Sequence, residues 1–237
     1  MLLRDILNPI NLTSFIYRVV IREKLIHVCN RDPNIYSSVI NDNIIDGYID
    51  KVNKGRENIL KGYTFNFRDM IDYVKDGVPQ SCESLPNFRQ ILNDGSTVII
   101  KDIGKFGDEG NVLHYLLRDL DKIFNTNYTL WCNLYISKGK NALRPHIDQH
   151  AIIVLQFKGR KEWDFFGKVN DWKTDKPVHK IMLNQGDLLY FPKWAPHVAR
   201  TIPNVETGHA TIELPSEYSK NAIYPEEWMM SQSEAHL

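Results

Sequence analysis

The 237-residue chain predicts a mainly β protein with a helical N-terminal extension, on three observations. Its second half breaks into short β-branched or aromatic segments separated by Gly, Pro, Asn or Lys, the pattern of a β-sandwich or barrel. Its first part is mostly irregular, with apolar residues at three- and four-residue spacing where a period exists. A hydrophobic content of 43% is enough to bury a sizeable core.

Along the chain, Ile44, Ile45, Tyr48, Ile49 and Val52 share one helical face, and Phe88 to Leu92 forms a short helix stopped at Asp94-Gly95. Thr97 to Ile103 reads as a buried strand. Val112, Leu113, Leu116, Leu117, Leu120, Ile123 and Phe124 then mark an amphipathic helix ending near Asn125. Strands follow at Thr129–Ser137, Ala151–Phe157, Lys161–Phe166, Ile181–Leu183, Asp187–Phe191 and His209–Leu214. No internal repeat or low-complexity tract interrupts them, and Gly139-Lys140-Asn141 is a loop inside the β region. The division expected is a helical region over 1–95 packing on the core, a core over 96–215 and a tail over 216–237.

Lys plus Arg and Asp plus Glu both number 29, so no overall charge draws the chain to nucleic acid or an anionic membrane. The first residues are broken by Arg4, Asp5, Asn8, Pro9 and Asn11, unlike a signal peptide, and no apolar run approaches the roughly 20 residues of a membrane span. Cys29, Cys82 and Cys132 are odd in number and scattered, as for reduced thiols in a cytoplasm.

His146 and Asp148 are one residue apart, so on an extended segment both side chains project from the same face. Two His and one carboxylate occupy one face of an octahedral ion and leave three positions for a bidentate cosubstrate and dioxygen, the requirement of non-haem iron(II) oxygenases. The pair alone is weak, because eight His and 18 Asp in 237 residues supply about 0.6 such pairs by chance. A surface His and Asp at a strand end would read the same way. The context adds weight: Pro145-His146-Ile147-Asp148-Gln149 runs into AIIVLQF and then Lys158-Gly159-Arg160-Lys161-Glu162-Trp163. Further on, Gln185-Gly186-Asp187-Leu188-Leu189-Tyr190-Phe191-Pro192 leads to Trp194-Ala195-Pro196-His197, which brings a third ligand, His197, from a distant strand.

From about Trp131 to Leu214 these features resemble, in order, the JmjC-type cupin-like oxygenases, most closely the bacterial ribosomal-oxygenase branch. Weaker similarity reaches Lys24-Leu25-Ile26-His27-Val28 and the Asp32-Pro33 turn. The resemblance implies a double-stranded β-helix (jelly-roll) core that uses Fe(II), 2-oxoglutarate and O2 to hydroxylate a side chain in a protein or peptide, releasing succinate. Lys161, 15 residues after His146, falls where related enzymes pair a cation with the distal carboxylate of 2-oxoglutarate, with Arg160 its rival since neighbours on a strand face opposite ways. Asn133 and Tyr135, on the preceding strand, and Thr211, on the last, fall where relatives line the cosubstrate pocket, although Tyr135 also reads as a plain core aromatic. Leu143 stands where relatives carry Thr, so the cosubstrate contacts must be redistributed.

Beside the ligands, His150, Gln149, Trp194 and Arg144 are the expected substrate contacts at the open mouth, one flank of which the N-terminal helices would cover. His209 reads as an ordinary satisfied histidine or a second-layer residue, and Trp131, Trp163 and Trp194 as packing or cleft. Residues 215–237 are too few for the dimerisation and winged-helix domains of ribosomal-oxygenase relatives, which weakens the case for a ribosomal substrate and leaves a homodimer open. The rival functions are the same chemistry on a free amino acid or small natural product, a cupin metalloenzyme with no need of Lys161, and a non-catalytic binding module.

Overall fold

A computed structural model describes residues 3–17, 24–29, 31–53, 57–60, 63–66, 70–81, 88–103, 112–124, 131–139, 142–167 and 176–214. The 216–237 tail, Cys82, Asn125, Thr129-Leu130 and Lys140-Asn141 lie outside them. In chain order the elements are α1 (Leu3–Leu7), α2 (Leu12–Ile16), β1 (Ile26–Val28), α3 (Asp42–Asn53), β2 (Glu57–Leu60), β3 (Tyr63–Asn66), β4 (Ile71–Lys75), β5 (Val78–Ser81), α4 (Phe88–Asn93) and β6 (Thr97–Ile100). Then come α5 (Val112–Ile123), β7 (Cys132–Ser137), β8 (Ala151–Lys158), β9 (Arg160–Phe165), β10 (His179–Asn184), β11 (Leu188–Phe191), β12 (His197–Thr201) and β13 (Thr207–Leu214).

The strands form an eight-stranded sheet in the order β1-β11-β8-β13-β7-β6-β4-β5, a three-stranded sheet in the order β10-β9-β12, and the β2-β3 hairpin. Every pairing is antiparallel. This is a double-stranded β-helix, mainly β as expected. The 1–95 region, however, is not simply helical. β1, β4 and β5 come from it and complete both edges of the large sheet. They were invisible to periodicity because each is three to five residues long and mixed in composition, as in VPQS of β5, which is exposed throughout.

Both faces of the large sheet's inner strands are covered, and side-chain alternation divides them. Ile153, Leu155 and Phe157 of β8, Ala210, Ile212 and Leu214 of β13, and Leu134 and Ile136 of β7 pack in one core with Leu3, Phe15, Ile45, Leu116 and Leu120 of the helices. Ile152 and Val154 of β8 and Leu189 and Phe191 of β11 face the small sheet instead, against Trp163, Phe165, Ile181 and Leu183. AIIVLQF is continuously apolar because both faces of β8 are buried. The helices α1, α2, α3 and α5 therefore cover the outer face of the large sheet and not a flank of the mouth, which corrects that expectation.

One glycine decides the geometry of the inner face. Gly159, at φ +60, is the sole residue between β8 in the large sheet and β9 in the small one, and a Cβ there would lie 2.4 Å from the Glu206 carbonyl oxygen. The corner sets the register of β9, so that Lys161 is buried and Arg160 exposed.

Candidate metal centre

The candidate ligand residues meet where β12 begins. His146 and His197 form an antiparallel bridge, exchanging backbone hydrogen bonds of 3.0 and 2.9 Å. Trp194 donates its N–H to the Asp148 carbonyl at 2.8 Å, pinning the chain just before the third ligand to the chain beside the second. Trp194 takes φ +66 there, an uncommon conformation for an aromatic residue.

The ligating atoms of His146, Asp148 and His197 all lie within 4.8 Å of one another. His146 Nε2 is 3.8 Å from one Asp148 oxygen and His197 Nε2 is 3.5 Å from the other. Each imidazole Nδ1 sits 2.8 Å from the carbonyl of the residue two before it, Arg144 for His146 and Ala195 for His197. A carbonyl only accepts, so both Nδ1 atoms carry the proton and both Nε2 lone pairs face Asp148. Burial, with the His146 charge, pushes His197 down to about 3, so it stays a neutral ligand. Burial holds the Asp148 carboxyl above its usual range, against the pull of His146 and His150. Two imidazoles and one carboxylate, converging with no Lys or Arg among them, fit a divalent ion.

The triad opens into a cavity of about 560 Å³ including solvent at its mouth, within the roughly 300–1,000 Å³ of small-molecule sites. Trp163 and Phe191 wall it beside His197, with ring centroids 5.8 and 4.5 Å from the imidazole. Lys161 lies in this wall, 2% exposed, and among the described residues its hydrogen-bond partner is the Ser137 hydroxyl at 3.2 Å, itself 2.8 Å from the Thr97 hydroxyl. No described carboxylate comes within ion-pair reach of it, and burial pushes its ammonium down to about 7.

Of the remaining expected residues, Tyr135 and Thr211 line the cavity. Burial raises the Tyr135 hydroxyl, with the charges of Asp148 and Glu213 acting the same way and hydrogen bonds with Asn133 and Thr211 opposing. Asn133 lies behind them, accepting from the Asp102 N–H at 2.9 Å and reaching Glu213 at 3.5 Å. Leu143 is in the cavity wall, and the Thr97 hydroxyl joins it from β6. The four expected substrate contacts are not in the wall. Arg144 is exposed and tied by its Nε to the Asp76 carbonyl in the β4–β5 turn, 3.1 Å away, and Gln149 is exposed. Trp194 is half-buried, and His150 stacks on Trp131 at 5.7 Å with its Nδ1 3.6 Å from Glu213.

Glu213 is the residue that sequence reasoning passed over, and His209, expected as an ordinary satisfied histidine or a second-layer residue, lines the cavity. Glu213 is in the cavity wall, its carboxyl pushed up to about 7 by burial and by Asp148 and Asp102. His209 is in the same wall, 3% exposed. Both lie two residues from Thr211 on β13, so the strand period alone would have put them on Thr211's face.

Residues 115–221 match the JmjC domain family, a segment that contains all three ligands and Lys161. Among curated proteins the chain is 25% identical over 186 residues to ribosomal oxygenase 2 of Mus musculus, covering 67% of this chain and 39% of the relative. It is 24% identical over 241 residues to the bifunctional lysine-specific demethylase and histidyl-hydroxylase NO66 of Aedes aegypti, covering 91% and 34%. The crystal structure of the Escherichia coli ribosomal oxygenase YcfD superposes with a TM-score of 0.55 at 16% identity, over 87% of this chain and 52% of that one. The chain thus spans between a third and about half of the length of these proteins. The matched segment forms the inner strands and carries the candidate triad, so the similarity to the JmjC domain falls on the part of the chain that builds this site.

Proposed function

We propose that the chain is an Fe(II)- and 2-oxoglutarate-dependent oxygenase that hydroxylates a C–H bond of a side chain in a protein or peptide. The observation that carries this reading is Lys161. A buried ammonium without a carboxylate costs several kcal/mol on the order of magnitude, and a ligand anion in the triad's cavity offsets that cost. A dicarboxylic 2-oxo acid supplies one carboxylate for Lys161 and a keto-acid chelate for the metal.

Fe(II) and 2-oxoglutarate, when bound, supply the oxidising chemistry: a C–H bond, 2-oxoglutarate and O2 become a C–OH bond, succinate and carbon dioxide. The chain's part is positional. His146, Asp148 and His197 hold three ligand atoms on one side, oriented through the Arg144 and Ala195 carbonyls. Lys161 neutralises and orients the distal carboxylate, with Thr211 and Tyr135 beside it and Asn133 holding the Tyr135 hydroxyl. Trp163 and Phe191 keep water from the ligand face. His150, Gln149, Trp194 and Arg144, set back from the wall, serve the macromolecular part of a substrate at the mouth. The similarity to a ribosomal oxygenase and to a lysine-specific demethylase and histidyl-hydroxylase favours a protein substrate over a free amino acid. Cys132 is a free, buried thiol, which suits a reducing cytoplasm.

The test is succinate formation from 2-oxoglutarate by the ferrous protein, with mass spectrometry of added peptides and, separately, of free amino acids. Turnover that vanishes in Asp148→Ala, with +16 Da on a peptide, supports the proposal. Succinate formation undiminished in Asp148→Ala would end the triad assignment, and oxidation of free amino acids alone would move the substrate to the small-molecule class.

A further inference from the structure

Five buried side-chain polar atoms of the described residues lack a hydrogen-bond partner, and three belong to residues grouped around Lys161. They are Trp163 Nε1, Thr201 Oγ1 and His209 Nδ1. Trp163 and His209 share the cavity wall with Lys161, and Thr201 is its cross-strand neighbour on β12. An indole N–H and an ammonium can only donate, so this end of the cavity holds surplus donors and calls for an acceptor. Buried polar groups are seldom left unpaired without a reason, since each costs about 1–3 kcal/mol.

His209 is the group best placed to use that acceptor. Its ring lies flat on Tyr135, with centroids 4.9 Å apart and planes 3° from parallel, and Trp163 meets it edge-on at 5.4 Å and 78°. The imidazole is therefore held in one orientation before any ligand arrives. No acceptor stands beside Nδ1, where a proton would be stranded, so the ring proton belongs on Nε2, the nitrogen left to the cavity. Burial and the nearby Lys161 charge keep the ring neutral, with one proton to donate.

We propose that His209 is a second anchor for the cosubstrate, donating a hydrogen bond from Nε2 to the distal carboxylate that Lys161 neutralises. This rests on the reading of the cavity as a 2-oxo dicarboxylate site. It makes His209 a selectivity residue: its bond exists for a 2-oxo acid with a second carboxylate and not for one without.

The test is calorimetric titration of the full chain loaded with Mn(II), without oxygen, using 2-oxoglutarate and, as the acid lacking a distal carboxylate, pyruvate. His209→Leu is expected to weaken 2-oxoglutarate binding by about tenfold or more and to leave pyruvate binding unchanged. His209→Gln, whose amide nitrogen reaches the Nε2 position, restores most of the affinity, whereas His209→Asn, which reaches only Nδ1, does not. The metal-free melting temperature of His209→Leu should equal or exceed that of the unaltered protein, because a stranded polar atom has been removed. Equal weakening of both acids, unchanged 2-oxoglutarate affinity in His209→Leu, or rescue by Asn in place of Gln would overturn the proposal. If His209→Leu does not fold, the Gln and Asn variants decide by the same comparison. Failure of the underlying reading is seen separately, as unaltered protein that binds 2-oxoglutarate no better than pyruvate.

Discussion

Lys161 and Glu213 line one cavity with opposite charges, and the protein treats them differently. Lys161 is 2% exposed, holds a single hydroxyl partner and is pushed down to about 7 by burial. Glu213 lies four residues from His209 along β13, about 13 Å of strand, and keeps 24% of its side chain in solvent. It is pushed up to about 7, again chiefly by burial, and its contacts with Asn133 and His150 are long, at 3.5 and 3.6 Å. Desolvation acts on both, but water screens only the acid. The cation end therefore requires an anionic occupant, while the acid end can wait in partial contact with solvent.

The sharpest way to break this comparison is Lys161→Met. It removes the uncompensated charge and keeps an unbranched chain, so 2-oxoglutarate affinity should fall about a hundredfold or more. Metal binding, followed by calorimetry, should persist, and the metal-free protein should melt no lower. Arg160→Ala, on the exposed side of β9, should change 2-oxoglutarate binding less than about twofold. The reverse result for the two variants would mean that β9 is shifted by one residue.

Next in size is Gly159→Ala, which attacks the corner that turns Lys161 inward. With φ +60 and a carbonyl oxygen 2.4 Å from the new Cβ, it should cost about 2 kcal/mol or more, read as a lower denaturant midpoint. An unchanged midpoint would mean that the corner relaxes freely.

The smallest effect is in pH dependence, where the two ends have opposite signs. Between about pH 7 and the ordinary Lys value of 10.5, unfolded Lys161 holds a proton that the folded one has lost. Its contribution thus makes stability rise with pH. Between the ordinary Glu value of 4.5 and about 7, folded Glu213 holds a proton that the unfolded one has lost, so its contribution falls as pH rises. Relative to Lys161→Met, the metal-free protein should gain stability above pH 7, and relative to Glu213→Gln it should lose stability from 4.5 to 7. Each arm is on the order of 1 kcal/mol or more, measurable as denaturation midpoints across the range. Arms of the same sign would remove the distinction between the two ends.

Much of this site was legible before folding. The one-residue spacing of His146 and Asp148, the Gly-Asp turn and apolar strand before His197, and the placing of Lys161 over Arg160 all appear in the structure as expected. The helices over 42–53, 88–93 and 112–123 were equally plain, because long apolar periods are a local property. The expected mouth residues fared differently. Arg144 turned out to be held by a hairpin some 70 residues earlier in the chain, and β4 and β5, which make that hairpin, carried no readable period.

The sequence by itself determined which side chains share a face, since alternation along a strand is built into the covalent chain. It set His146 with Asp148, Lys161 with Trp163, and Thr211 with His209 and the overlooked Glu213. Only the tertiary structure decided which faces look at one another. Closing β9 and β12 over β7, β8 and β13 left Lys161 without a carboxylate, laid His209 flat on Tyr135 and left Glu213 weakly held beside His150. Those relations join residues up to 74 positions apart, as with Tyr135 and His209, and arise from the packing of two sheets that no short stretch of sequence encodes.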